Sequence, residues 1–401
     1  MNKALTDYQD VRTVTIRTIT PIHIGNGEIV RAKEYVYIPT AHTVYFLNTA
    51  KWQNFIVQHN LFSSYEHFMD SNSKCCISSL YEWLEKTSRI ANVEETIEDL
   101  SNSKAVVPGE MLRNKKKNTL NDIVRQAKDI YGQPVIPGSS IKGLIRTAIL
   151  YHLLQLPENQ HYREKAWQQT LQMIARRDSK KLDMISNTLE TELLHILSIG
   201  NEEGKTLNNA VKSVMKGILC SDAMPRGRTS LGILQKIDGT RKGRDHKERP
   251  IPLYRECILP NQTFTCTIKI EKEITKLIGI TSVDDMIRMV EDFYQEVGHV
   301  LRKEMDDIYH CELSDLTKGN AFLGGGVGYL SKTLLLFLAT DKKGHVDTDQ
   351  SSRAIKQFLA MRFQHGGHRH SQSKLQPHMI KLTRSKEKQM LMGIIKVDIH
   401  E

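Results

Sequence analysis

PVIPGSSIKGLIRTAIL, residues 134–150, is the stretch from which the rest of the chain can be read. Pro137-Gly138 signals a turn, Ser139 and Ser140 are helix-capping types, and a periodic apolar run follows at once. Ile141, Leu144, Ile145, Ala148 and Ile149 fall on one helical face and form a core-facing stripe. Lys142 and Arg146, four apart, stack on a face away from that stripe, and Gly143 lets a backbone or a ligand approach closely. A turn that presents free N–H groups and two cations at a helix start suits an anion. The same residues also describe an ordinary capped helix with a solvated basic face, and spacing alone does not choose between the two.

Upstream, VRTVTIRTITPIHIG (11–25) places Val14, Ile16, Ile22 and Ile24 on one parity and Arg17 and His23 on the other. That is a strand with one buried face, bent or at an edge where Pro21 falls. EYVYIP and TVYFLN read as a hairpin, and 51–69 as a helix. Residues 158–200 read as a helical surface subdomain. Downstream, GILCSD is strand-like, a long basic loop follows, and strands are expected around 251–258 and 263–270. Val283, Met286, Ile287, Val290, Tyr294, Val297 and Leu301 mark a long helix, and IIKVDI a last strand. No regular strand–helix alternation emerges, so the fold expected is α+β, with an N-terminal module over 1–210 and a C-terminal module over 211–401.

With 401 residues, 39% hydrophobic and 25% charged, the composition is that of a soluble globular protein. No apolar run approaches the ~18 residues of a membrane span, and MNKALTDYQDVRTVTIRT lacks a secretory core, so a cytoplasmic location is expected. Six scattered cysteines with no C-x-x-C pair read as reduced structural thiols. The net charge of +10 is unevenly held. Residues 111–128 carry six Lys/Arg against one acid, 226–249 eight against three, and 353–388 nine against one. Patches of this kind are the footprint of a polyanion, most often nucleic acid.

Three further constellations bear on chemistry. GNAFLGGGVGYLSKT (319–333) sets Gly324, Gly325, Gly326 and Gly328 in five positions, a loop whose N–H groups can meet phosphates. It is neither a dinucleotide fingerprint, since Tyr329 stands where glycine is needed, nor a P-loop. The basic stretch adds Arg226, Arg228, Arg241, Lys242, Arg244 and Arg249, suited to backbone contacts. His365, His368 and His370, with His378, could bind a metal, but no acid or cysteine lies close and Arg369 would repel a cation; an RNA-contacting or solvated basic loop is favoured, with neither metal nor cofactor. His23 is the one candidate base for metal-independent RNA cleavage, with Lys142 as charge stabiliser.

TPIHIGNGE, IPGSSIKGLIRTAI and the late Gly-rich loop, taken in order, resemble the repeat-associated mysterious protein (RAMP) superfamily of CRISPR systems. Within it, the chain is similar to the Csm-type subunits of type III-A effector complexes that cap the 3′ end of the guide RNA. The similarity spans most of the chain, and PGSSIKGLIRT is its most specific part. It implies two ferredoxin-like (RRM-like) modules with helical insertions, and a non-catalytic place beside related backbone subunits. Guide RNA would be the bound partner, and its 3′-end maturation would draw on a cellular ribonuclease. Carried over by position, Gly138, Ser139, Ser140, Lys142, Gly143 and Arg146 would face RNA, with Gly324 to Gly328 nearby. Related subunits cut target RNA with a loop aspartate; Asp238, in the expected basic loop, has no matching motif.

Overall fold

The computed structural model describes residues 7–70, 79–87, 90, 92–108, 120–178, 184–198, 210–242, 245–362, 374–386 and 388–400. The first part of the chain forms β1 (Gln9–Thr18), β2 (Gly25–Val30), β3 (Tyr35–Ile38) and β4 (Thr43–Leu47). Helices α1 (Thr49–Gln58), α2 (Phe62–Asp70), α3 (Leu80–Thr87) and α4 (Val93–Leu100) follow, then β5 (Ser101–Val106) and β6 (Ile123–Gln126). Next come α5 (Gly138–Gln155), α6 (Gln160–Ala175) and α7 (Ile185–Leu194). The remainder gives β7 (Ile218–Cys220), β8 (Met224–Pro225), β9 (Leu231–Lys242), β10 (Asp245–Ile258) and β11 (Thr263–Glu271). Helix α8 (Val283–Leu313), β12 (Ala321–Phe322), α9 (Thr348–Arg362), β13 (Met379–Ser385), β14 (Lys388–Leu391) and β15 (Ile394–His400) complete it.

The fold is α+β. Its first sheet runs β12-β15-β1-β11-β7, with β8 also on β11. β1 is antiparallel to both β11 and β15, pairing Val14 with Cys266 and with Ile399. Helix α5 lies between β1 and β7 in the chain, and α8 between β11 and β15. The order β15-β1-β11-β7 is therefore that of a ferredoxin-like β-α-β-β-α-β unit, with the other elements inserted between its parts. α5 and α8 pack together, with the Tyr151 and Phe293 rings 5.2 Å apart. Val14, Ile16, Ile145, Ile149, Val290 and Phe293 are buried in the resulting core.

The second sheet, of nine strands, runs β2-β6-β10-β9-β5-β4-β3, with β13 on β9 and β14 on β13. Tyr35, Phe46, Ile123, Ile233 and Tyr254 are buried together against it. Helices α1–α4 bury Trp52, Phe55, Phe68 and Trp83 against Val36 and Ile38 of β3. Each sheet takes strands from both sides of residue 210.

Two local expectations change. The helix over 51–69 is two helices, because the chain turns at Asn60 with φ +53°. The basic loop is a long hairpin, β9 and β10, paired from Lys242–Asp245 to Leu231–Ile258. Asp238 consequently sits inside β9, not in a loop. Among the described residues Cys220, Cys257, Cys266 and Cys311 are free, and no helix is long and apolar enough to cross a membrane.

Candidate nucleic-acid interface

Helix α5 begins two residues earlier than a Ser139 cap would place it. Pro137 is the N-cap and Gly138 the first helical residue, and neither Ser139 nor Ser140 makes a capping bond. Asp222, just after β7, takes that role: its Oδ1 accepts the Gly138 N–H at 2.7 Å. The helix N-terminus thus already holds a carboxylate of the chain itself. Gly138 is required by packing, since a Cβ there would lie 2.2 Å from the Cys220 carbonyl oxygen. Gly143 has open space where its Cβ would be.

The exposed side of α5 faces the Gly-rich loop across a cleft of about 440 Å³. Ser140, Gly143, Leu144, Arg146 and Thr147 line one wall; Gly324, Gly325, Ser331 and Lys332 line the other, with Ile24 and Gly25 among the lining. Ser140, Gly143, Leu144 and Thr147 follow helical i, i+3, i+4, i+7 spacing, so one turn-spanning face is presented. Arg146 pairs with Glu190 of α7 at 3.2 Å. Lys142 is not part of the lining; its charge acts on Cys220 behind the helix start. The loop is tied to the end of the first strand region by the Gly325 N–H, which donates to the His23 carbonyl at 2.6 Å. Gly324 has φ +92°, and a Cβ there would meet that same carbonyl oxygen at 2.4 Å, so only glycine fits.

His23 lies behind this wall. Its side chain is buried, with Nδ1–H donating to the Glu256 carbonyl at 2.7 Å. Burial, foremost, lowers its pKa to about 4. The imidazole is therefore neutral at neutral pH, with Gly25 and Gly325 close against its Nε2 and Cδ2 edge. Beneath it Glu256 is fully buried, 2.7 Å from Lys128 Nζ and 3.0 Å from Arg125 Nε, and it accepts the Gln126 N–H at 3.1 Å.

Sequence reasoning missed a row of cations on the other flank of the loop. Lys236, Asp238, Arg255 and Lys381 stand on adjacent strands β9, β10 and β13. Lys381 Nζ is 2.7 Å and Lys236 Nζ 3.6 Å from Asp238 Oδ1. Arg255 Nη1 is buried without a hydrogen-bond partner among the described residues, and a Cβ on Gly326 would lie 3.0 Å from it. Desolvation and neighbouring cations hold Lys236 and Lys332 below the usual lysine range. The available signal was the β9 alternation, Leu234-Lys236-Asp238 against Ile233-Gln235-Ile237, which charge density alone concealed.

The remaining candidates stand apart from the cleft. Arg226 and Arg228 are exposed on the segment between β8 and β9, and Arg226 Nε donates to Thr265 Oγ1. Arg241 and Lys242 end β9 at the hairpin tip. Arg244, the 113–117 basic run and the histidines at 365, 368 and 370 lie outside the described residues. Among the described residues no group of three or more His, Cys, Asp or Glu could hold a metal ion.

The fold has counterparts in known proteins. The RAMP superfamily pattern matches residues 15–330. The chain belongs to the RAMP superfamily. Its curated relatives include the CRISPR system Cms protein Csm5 of Streptococcus thermophilus, 28% identical over 344 residues, or 82% of this chain and 81% of the relative. The Csm5 protein of Mycobacterium tuberculosis is 24% identical over 348 residues, 80% and 82% of the two chains. Among solved structures, one chain of the cryo-EM structure of a Csm–crRNA–target RNA ternary complex of a type III-A CRISPR-Cas system superposes with a TM-score of 0.62. It shares 19% identity, covering 97% of this chain and all of that one. The crystal structure of T. onnurineus Csm5 gives a TM-score of 0.59 at 17% identity, over 95% and 99% of the chains.

Proposed function

We propose that this chain is a guide-RNA-binding structural subunit of a type III-A Csm complex, capping the 3′ region of the guide beside related RAMP subunits. Kinship with Csm5 proteins over four-fifths of the chain supports the assignment to such a complex. The observation that carries the RNA-binding role is the cleft where Ser140, Gly143 and Thr147 of α5 face Gly324, Gly325 and Lys332. Segments far apart in sequence bring a small-residue helix face, a glycine backbone and cations to one place, a fit for a sugar–phosphate backbone read by shape. Assistance in guide 3′-end maturation belongs to the same reading, through recruitment of a cellular ribonuclease. His23, buried and neutral, would position the loop through its own backbone carbonyl.

Labelled single-stranded guide RNA is incubated with the purified chain in magnesium and again in chelator. Binding with intact RNA in both conditions is expected. Cleavage abolished by His23→Ala would overturn the non-catalytic role in favour of a metal-independent endoribonuclease.

A further inference from the structure

We infer that Arg255, Lys236, Lys332 and Lys381 form a second phosphate-binding site on the sheet side of the Gly-rich loop, so that an RNA strand crossing the loop is gripped on both flanks. The inference rests on the RNA-binding function proposed for the cleft and names the residues and chemistry of one half of it.

Four cations converge there, and Asp238 is the carboxylate that acts on Lys236, Arg255 and Lys381, while Lys332 feels the Arg255 charge. Like charges brought together in a partly dehydrated place raise one another's energy unless an anion compensates. Each of Arg255, Lys236 and Lys332 is held below its ordinary value by desolvation, and cationic neighbours add to the shift of both lysines. Asp238 is committed to Lys381 and reaches Lys236 only at 3.6 Å. Among the described residues Arg255 has no such carboxylate within ion-pair distance, and its buried Nη1 lacks an acceptor. A guanidinium donor left unpaired costs free energy that an arriving acceptor would return.

The backbone complements the charges. Gly326 covers Arg255 closely, and Gly328 lies over the Lys381 stem, where a Cβ would be 3.6 Å from Cγ. Lys332 also lines the α5 cleft, so the two flanks of the loop are joined through it. The ligand that fits a cluster of cations beside a glycine backbone is a chain of oxyanions, the phosphodiesters of single-stranded RNA. Four cations offer donors to phosphate oxygens but no donor–acceptor pattern matched to a base edge, so the site grips without selecting sequence.

The test measures the affinity of the full chain for a single-stranded RNA oligomer over a range of salt, with inorganic phosphate as a second probe by thermal shift. Removing one cation from a bound phosphate lowers the log–log salt slope by about 0.7 and weakens binding roughly fivefold at 0.1 M salt. Arg255→Gln with Lys236→Gln is therefore expected to reduce the slope by about 1.4, and Asp238→Asn to tighten binding, a gain that no folding defect imitates. An unchanged slope in the folded double variant together with no gain in Asp238→Asn overturns the site while leaving the RNA-binding function standing. Wild-type chain that ignores RNA yet is stabilised by phosphate, with that stabilisation abolished in the double variant, upholds the site and overturns the RNA-binding function.

Discussion

The His23 side chain is where burial, hydrogen bonding and loop position meet. Its Nδ1–H satisfies the Glu256 carbonyl, its own carbonyl accepts from Gly325, and desolvation keeps the ring neutral down to about pH 4. The ordinary histidine value is 6.5, so the folded value is depressed. Above pH 6.5 the ring is neutral in both folded and unfolded chains, and the full stability is present. As pH falls from 6.5 towards 4, the unfolded chain takes up a proton that the folded one refuses, and stability is lost. A shift of this size corresponds to roughly 3 kcal/mol across that window. His23→Gln is expected to remove most of this dependence. Urea midpoints at pH 7 and pH 4.5, compared between wild type and variant, check it; an equal drop in both would show that His23 protonation does not report on folding. From sequence, His23 was visible as a candidate base on a strand's polar parity, but its burial was not. What buries it is a loop some 300 residues away in the chain, and no local pattern encodes that contact.

At the scale of the element, α5 carries two glycines that look alike in sequence and serve opposite ends. Gly138 is pressed against the β7 backbone, whereas Gly143 opens on the cleft. Gly138→Ala drives a Cβ into the Cys220 carbonyl and is expected to destabilise by about 1–3 kcal/mol. Gly143→Ala meets nothing, removes a flexible residue from a helix interior and is expected to stabilise by about 0.5–1 kcal/mol. If the RNA backbone runs through the cleft, the added methyl of Gly143→Ala also weakens RNA binding. Chemical denaturation and RNA titration on the same two variants read both quantities, and a Gly143→Ala chain that binds RNA as tightly as wild type would place the strand elsewhere. The apolar stripe of this helix was legible because 3.6-residue periodicity is local: Ile141, Ile145, Ala148 and Ile149 are buried as expected. Leu144, expected in the same stripe, is only partly buried and lines the cleft instead. The helix cap was not legible, because Asp222 arrives from a different element and displaces the serines from that role. The same reason hid β9. Asp238 of β9 stands opposite Lys381 of β13 and Arg249 of β10, so hydropathy described a loop where strand pairing decides.

The whole molecule is interleaved, and its stability follows from that. β1, the first strand, has no partner near it in sequence; its neighbours are β11 and β15, the latter almost at the other end of the chain. One core joins Val14 and Ile16 to Ile145, Val290 and Val397. Residues 1–210 alone would leave both edges of β1 unpaired and that face of α5 uncovered, a condition that favours aggregation over folding. The division at residue 210 is thus expected to fail as a cut: neither half expressed by itself should show a cooperative transition, while the full chain should. The aromatic cluster of α1–α4 is the exception, because it is separate from that core. Trp52 and Trp83 lie in this cluster and Trp167 in the main core, so the three tryptophans report on different regions. Chains retaining only Trp167 are expected to follow the loss of helical circular dichroism closely. Chains retaining only Trp52 and Trp83 should lose their buried fluorescence at lower denaturant, since the α1–α4 insertion can open while the interleaved sheet stays paired. Coincident transitions in both would mean that the insertion is held by the same cooperative unit as the sheet that closes on β1.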